Sequence, residues 1–266
     1  MGSDVSAPVR LERDGAVAVI VLDAPPLNLF SDAAWHALVE CIAEVEASDA
    51  RALVWRGTGK LFSGGVDVRI FQGIIDGGRA DADSVFAPLL ETVRRLEALP
   101  IPTLALCHGV CLTAAFEIAL GCDMIWAGES TRFGLVERVV GLTPGAGGTQ
   151  RLAERAGPGR AREFVMSGDL YKARTLEAWN VVNRVLPDSE LHERGLGFAH
   201  RLAGGPTLAH AATKRIVRAC MDGGRDGADA ITAHEAGELF RTEDLKDAVA
   251  AFLRDGPGSF DDFHGR

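Results

Sequence analysis

Apolar runs too short to be helices alternate with segments whose apolar residues recur at helical spacing, and that alternation restricts the chain to a layered α/β fold. Residues 17–22 (VAVIVL) are an unbroken apolar run of strand length. Ser31 is placed to cap a helix, and Trp35, Leu38, Val39, Ile42 and Val45 follow as one apolar stripe. Residues 52–55 (ALVW) form a second strand, closed by the turn-forming RGTGK. After the breaker PIP (100–102) the order recurs as strand 103–107, helix 112–120 and strand 123–127. Strands separated by helices pair in parallel, because the helix carries the chain back across the sheet.

Between these units, residues 68–99 read as an irregular piece around Gly73, Gly77 and Gly78, followed by a helix from about 86 to 98. Past residue 145 the pattern becomes mostly helical, over roughly 147–156, 159–167, 173–179, 188–203, 207–221, 229–240 and 243–254. One strand, 181–186 (VVNRVL), interrupts it. The GGP at 204–206 divides an α/β core (1–203) from a helical C-terminal region (204–266). About 60 residues bury little on their own, so Leu208, Ile216, Val217, Ile231, Leu239, Phe240, Val249, Phe252 and Leu253 must pack on the core or on another subunit.

Composition excludes several classes of function. A net charge of −9 and a pI near 5.3, with Lys and Arg scattered singly, provide no basic face for nucleic acid. No apolar run reaches the roughly 18–20 residues that span a bilayer. The N-terminus, MGSDVSAPVRLERDG, has no apolar segment of a secretory signal, so the expected compartment is the cytoplasm. Five cysteines, at 41, 107, 111, 122 and 220, fall mostly in apolar segments and are expected to be reduced thiols. Their spacing matches no zinc pattern, and none of the seven histidines belongs to an HExxH motif, so no metal is expected.

Chemistry concentrates at two isolated carboxylates. Glu117 is the one carboxylate between Gly109 and Cys122, in GVCLTAAFEIALGC, and Glu137 lies in FGLVERVVGL just before the glycine-rich TPGAGGTQR (143–151). A carboxylate in an apolar helix loses hydration, which costs several kcal/mol unless it is protonated or paired. Two such groups flanking one glycine-rich turn point to acid–base chemistry at a dry site. In KLFSGGVDV (60–68), adjacent glycines let backbone N–H groups approach a ligand closely, although a simple tight turn has the same sequence. Small residues open the helix ahead of Glu117, where unpaired N–H groups favour developing negative charge, and tight packing on a sheet would require the same small residues. Glu137 also has an ordinary reading, as a surface charge beside Arg138. The 143–151 stretch lacks the Gly-Lys-Ser/Thr ending of a phosphate loop. Asp23, His108 and Asp123 are read as satisfied structural groups.

Taken in order, KLFSGGVDV, HGVCLTAAFEIALGCDMIWA and STRFGLVERVVGLTPGAGGTQRL resemble the crotonase (enoyl-CoA hydratase/isomerase) family, over about residues 10–255. The resemblance implies a spiral of repeated β-β-α units with a helical C-terminal region that forms a homotrimer, or a hexamer from two trimers. It implies an acyl-CoA substrate, with coenzyme A arriving as part of the substrate and no separate cofactor. Glu117 and Glu137 match the two catalytic glutamates, and Gly64 and Ala114 the two backbone donors of the oxyanion hole. Gly64, Gly65, Val66 and Asp67, with Ala114, match the acyl-CoA-binding positions. The family's glycine triplet is Thr113-Ala114-Ala115 here, and Val66 stands where a small residue is frequent, so the site is expected to be narrower. The basic residue often found before the first helix is absent from APPLNLF, which leaves the groups that hold the CoA phosphates unassigned. The implied activity is enoyl-CoA hydration. A double-bond isomerase, another acyl-CoA lyase or hydrolase of the family, and a non-catalytic binding protein of this fold are the alternatives.

Overall fold

The computed structural model describes residues 7–77, 83–260 and 262–266. The chain opens with a hairpin, β1 (Val9–Asp14) antiparallel to β2 (Val17–Leu22). Helix α1 (Asp32–Glu46) returns it to β3 (Ala52–Gly57), which lies parallel to β2. Helices α2 (Arg69–Ile75) and α3 (Asp83–Ala98) follow, then β4 (Thr103–Cys107), the short β5 (Val110–Leu112) and helix α4 (Thr113–Leu120). Next come β6 (Met124–Gly128), β7 (Arg132–Gly134) and a 3₁₀ turn, Glu137–Val140. Helices α5 (Gly148–Ala156) and α6 (Pro158–Ser167) lead through β8 (Tyr171–Lys172) and α7 (Ala173–Ala178) to β9 (Arg184–Leu186). Helices α8 (Leu191–Ala203), α9 (Thr207–Leu239) and α10 (Glu243–Asp255) complete the chain.

The main sheet has the order β1-β2-β3-β4-β6-β9 and is parallel except at the first hairpin; β5, β7 and β8 form a second, three-stranded sheet. Alternation within the apolar strands builds two core layers. Ala18, Ile20 and Leu22 of β2, with Leu53 and Trp55 of β3, face one layer together with α1 and α4. Val17, Val19 and Val21, with Ala52 and Val54, face the other, against Leu191, Ala199 and Ala203 of α8. A strand covered on both faces needs apolar residues at every position, which is why VAVIVL does not alternate. Close approach of α8 requires Gly195, where a Cβ would come within 2.4 Å of the Leu106 side chain.

Several sequence expectations hold at their stated places. The Ser31 hydroxyl accepts the Ala34 N–H at 3.2 Å, strand 103–107 is β4, and the helices at 148–156 and 243–255 differ from expectation by one residue. All five cysteines are free thiols, four of them buried. Asp123 is structural: it accepts the Thr103 N–H at 2.8 Å and pairs with Lys214 at 2.8 Å. Asp23 likewise pairs with Arg10 at 2.6 Å.

Other expectations are corrected. The stretch after residue 68 is not wholly irregular, since 69–75 is helical; Gly78 lies outside the described residues. Strand β1 was not anticipated, because as an edge strand with solvent on one side its RLERD carries charge rather than an apolar signature. The expected helices 207–221 and 229–240 do hold as two helices, which meet at a kink at Gly224 (φ 65°, ψ −163°) within the run α9. Strand 181–186 contracts to three residues.

The C-terminal region packs on the core through polar anchors as well as apolar contact. Arg51, at the start of β3, donates to Thr207 Oγ1 (2.9 Å), Gly205 O (2.7 Å) and Phe263 O (2.6 Å). Lys214 reaches Ile101 O at 3.0 Å. Phe240, Phe252 and Leu253 stay exposed.

Candidate active site

Three segments meet around one apolar cavity of about 450 Å³. The first is the turn after β3, the second is the β5–α4 junction, and the third runs from the 3₁₀ turn through residues 143–148. Phe30, Trp35, Phe86 and Leu142 supply much of the apolar wall, and Glu117, Glu137, Val66 and Ala114 also face it.

Glu117 lies on α4, all eight residues of which are buried. Arg155 fixes the C-terminal end of that helix by donating to Leu120 O (3.3 Å) and Cys122 O (2.5 Å). The Glu117 carboxylate is held by the glycine-rich turn rather than by a cation. Its Oε1 accepts the N–H groups of Ala146 (2.9 Å) and Gly148 (2.8 Å), while Oε2 accepts no hydrogen bond from the described residues. Glycine is required at 148 because a Cβ there would lie 2.7 Å from Glu117 Cγ. Behind the turn, Arg151 donates to Ala146 O (3.4 Å) and Gly147 O (3.2 Å) and forms a two-pronged pair with Glu97 (2.7 and 2.5 Å). Burial pushes the Glu117 carboxyl up to about 7, against the opposing pull of those N–H groups and of Arg151.

Glu137 begins the 3₁₀ turn and is also buried, so its surface-charge reading fails; Arg138, its neighbour, turns away to Ser167 O (2.6 Å). Its Oε2 is buried with no hydrogen-bond partner among the described residues. Burial, and next the negative charge of Glu117, raise its carboxyl to about 7. The two glutamates, twenty positions apart in sequence, therefore share one cavity and sense each other electrostatically. Two carboxyls raised toward neutrality in one cavity can divide a proton between them, one ionised while the other is protonated.

The backbone donors differ in part from expectation. Gly64 does not serve, because its N–H donates to Leu27 O at 2.8 Å. The Gly65 N–H is taken by Ser63 Oγ (3.0 Å), and the Asp67 N–H by Phe30 O (2.9 Å). The Asp67 carboxylate is engaged by Arg69, at the start of α2, which holds it below the usual carboxylate range. Of the anticipated substrate-binding positions, only Val66 and Ala114 line the cavity; Gly64, Gly65 and Asp67 form the turn behind it. Ala114 is the second residue of α4, where helix geometry leaves the N–H without an intrahelical acceptor. The Val66 N–H donates to Thr113 Oγ1 at 3.0 Å.

Thr113 is the residue whose importance was hardest to read from sequence. It is buried and adopts φ 44°, a left-handed conformation that costs a β-branched residue on the order of 1–3 kcal/mol. Its side chain packs on Gly65 (φ 102°), where a Cβ would come within 2.3 Å of Thr113 Oγ1. The visible signal was its place in the glycine triplet; the direction of its hydroxyl was not visible.

Buried paired carboxyls, an open helix-start amide and an apolar cavity between them define an acid–base site for an uncharged, polarisable group. The sequence pattern of the enoyl-CoA hydratase/isomerase family matches residues 12–263, and the chain belongs to that family. It is 33% identical to the short-chain-enoyl-CoA hydratase of Clostridium acetobutylicum over 92% of this chain and 94% of that one. It is 29% identical to the crotonyl-CoA hydratase of Syntrophomonas wolfei, covering 95% of this chain and 97% of that one. The solved enoyl-CoA hydratase of Thermoplasma volcanium superposes with a TM-score of 0.85 at 26% identity, covering 92% of this chain and 97% of that one. Among the described residues, no group of three or more His, Cys, Asp or Glu could hold a metal ion, and no helix is long and apolar enough to cross a membrane.

Proposed function

We propose that the chain is an enoyl-CoA hydratase, adding water reversibly across the double bond of a 2-enoyl-CoA thioester. The observation that carries this reading is the convergence of Glu117 and Glu137 on one apolar cavity, both with carboxyls raised to about 7. Hydration requires one ionised and one protonated group at once. Glu117, ionised, takes a proton from water as the water oxygen bonds to C3. The C2–C3 π pair moves through C1 onto the thioester oxygen, giving an enolate. Glu137, protonated, delivers its proton to C2 as the enolate collapses. The product gains OH at C3 and H at C2, and the pair resets by moving one proton from Glu117 to Glu137. The charge that builds on the thioester oxygen is met at the start of α4 by the Ala114 N–H; a fixed donor of this kind is worth roughly 2.7–4 kcal/mol in the transition state.

A double-bond isomerase needs one carboxylate, which shuttles a proton between C2 and C4, and leaves the second glutamate without a task. The test is loss of the conjugated thioester absorbance on adding crotonyl-CoA, repeated with E137Q. Native hydration with at least ~10²-fold loss in E137Q supports the reading. Native-level hydration by E137Q refutes it, as does a native protein that moves the double bond of a 3-enoyl-CoA while failing to hydrate crotonyl-CoA.

Two further readings belong here. The exposed Phe240, Phe252 and Leu253 on the C-terminal helices support covering by further copies of the chain, in a trimer or a pair of trimers. Light scattering that gives a stable monomer at micromolar concentration removes that reading. The net charge of −9 supports a reading with no nucleic-acid partner, and the cytoplasm is the compartment proposed with it.

A further inference from the structure

We infer that the acyl group this site prefers is larger than crotonyl and apolar along its length, with its tail lying against helices α1, α2 and α3. The inference rests on the acyl-CoA reading above and names the class of thioester. Size is the first observation. The cavity that Glu117, Glu137 and Ala114 face measures about 450 Å³. An apolar cavity of roughly 150 Å³ already holds a benzene ring. Crotonyl carries one methyl group beyond C3, which leaves most of this space unfilled.

The second observation is the chemistry of the wall. Trp35 and Val39 of α1, Ile70 and Phe71 of α2, and Phe86 and Leu89 of α3 all face the cavity. Polar side chains beside them are turned to the backbone of their own helices. Ser31 Oγ accepts the Ala34 N–H at 3.2 Å, His36 Nδ1 lies 2.8 Å from Asp32 O, and Thr92 Oγ1 donates to Pro88 O at 2.7 Å. Asp32 and Ser84, the other polar residues these helices bring to the cavity, are exposed to solvent. The arm of coenzyme A carries amides that need hydrogen-bond partners, so this wall suits it poorly. An alkyl or aryl tail has no such need and gains by leaving water. The third observation is where the room lies. Phe86 packs on Gly145, where a Cβ would come within 2.3 Å of its ring, and Gly145 adjoins Ala146, whose N–H holds Glu117. The cavity-facing stretch of α3, from Phe86 to Thr92, is therefore anchored beside the chemistry, and it is about 9 Å long. A four-carbon chain uses little of it.

The test is kcat/KM for straight-chain 2-enoyl-CoAs of four, six and eight carbons, with 5-phenyl-2-pentenoyl-CoA as an aryl arm. It is run on the native protein and on V39W and L89W, which fill the cavity from two different helices. Native kcat/KM rises at least ~10-fold between four and eight carbons. Octanoyl-CoA, which has no double bond to hydrate, binds at least ~10-fold more tightly than butyryl-CoA. Each tryptophan lowers the eight-to-four-carbon ratio of kcat/KM at least ~10-fold, with cooperative urea unfolding as the check that the variant folds. The aryl arm tells ring from chain, and either order of the aryl and eight-carbon thioesters above crotonyl-CoA supports a large apolar tail. A native kcat/KM that is flat or falls from four to eight carbons overturns the inference and leaves hydration standing. Folded V39W and L89W that both keep the native ratio overturn the placement of the tail. Absence of hydration at every chain length removes the functional reading itself, and this inference with it.

Discussion

Replacing Glu117 with glutamine separates the catalytic and structural roles of one buried carboxyl, because the effect on stability grows with pH whereas the loss of activity does not depend on it. The amide oxygen of glutamine can still accept the Ala146 and Gly148 N–H groups at 2.9 and 2.8 Å, so the glycine-rich turn keeps its anchor. What disappears is the negative charge. Burial lifts the Glu117 carboxyl from an ordinary 4.5 to about 7, a gap equivalent to ~3 kcal/mol at full ionisation. A carboxyl raised on folding binds its proton more tightly in the folded state. Its contribution to stability is therefore fully present below about pH 4.5 and is lost as pH rises to about 7. Glutamine pays no such cost.

In urea unfolding, E117Q is expected to lie within about 1 kcal/mol of the native protein at pH 5 and to exceed it by ~3 kcal/mol at pH 8. Crotonyl-CoA hydration by the same variant falls by 10²–10⁴-fold at both values, the range a positioned general base commonly supplies. A variant inactive but more stable, with a gap that widens with pH, marks a group held at a cost for its chemistry. A gap independent of pH, or E117Q less stable than native at pH 8, refutes the claim that this side chain is a desolvated acid.

Since one carboxyl must be ionised and the other protonated, kcat/KM for hydration is expected to be bell-shaped with its maximum near pH 7, and a profile flat from pH 5 to 9 would contradict it. In E117Q the charge that helps raise Glu137 is gone, so the Glu137 carboxyl titrates below its native value of about 7, measurable by NMR of a ¹³C-labelled side chain. The G148A variant drives a methyl against Glu117 Cγ at 2.7 Å, and hydration is expected to fall at least ~10-fold with unfolding still cooperative; native activity would mean the turn has slack. Removing the α1 cap with S31A costs about 1 kcal/mol in denaturant unfolding, without altering KM.

The legible parts of this molecule are those in which one residue type answers one physical demand. VAVIVL reads as a buried strand and Ser31 before a 3.6-period stripe as a helix start, and both stand where expected. Glu117 was visible because a carboxylate has no inexpensive place in an all-buried helix. The illegible parts depend on partners distant in sequence. Whether Gly64 or its neighbours offer a free amide is decided by Leu27 O, 37 positions earlier, and no property of Gly-Gly reveals it. Strand β5 is three residues long and β8 two, too short for any period to register. Glu137 read equally well as a surface charge until the fold buried it beside Glu117.

The arrangement also explains why the glycine-rich turn lies where it does. An ionised Glu117 must be accommodated without a contacting cation, since a salt bridge would pull its carboxyl down and leave it a poor base near neutrality. Backbone N–H groups are the milder instrument: two of them on one oxygen orient the carboxyl and moderate its burial without neutralising it. Arg151 contributes from behind, gripping the carbonyls of the turn and spending its charge on Glu97. If that division of labour is right, freeing Arg151 with E97Q should lower the Glu117 carboxyl through the unpaired cation, shifting the acid limb of kcat/KM to lower pH while kcat at its optimum changes little. An acid limb that stays in place would mean that Arg151 serves the turn mechanically, with no electrostatic share in setting the base.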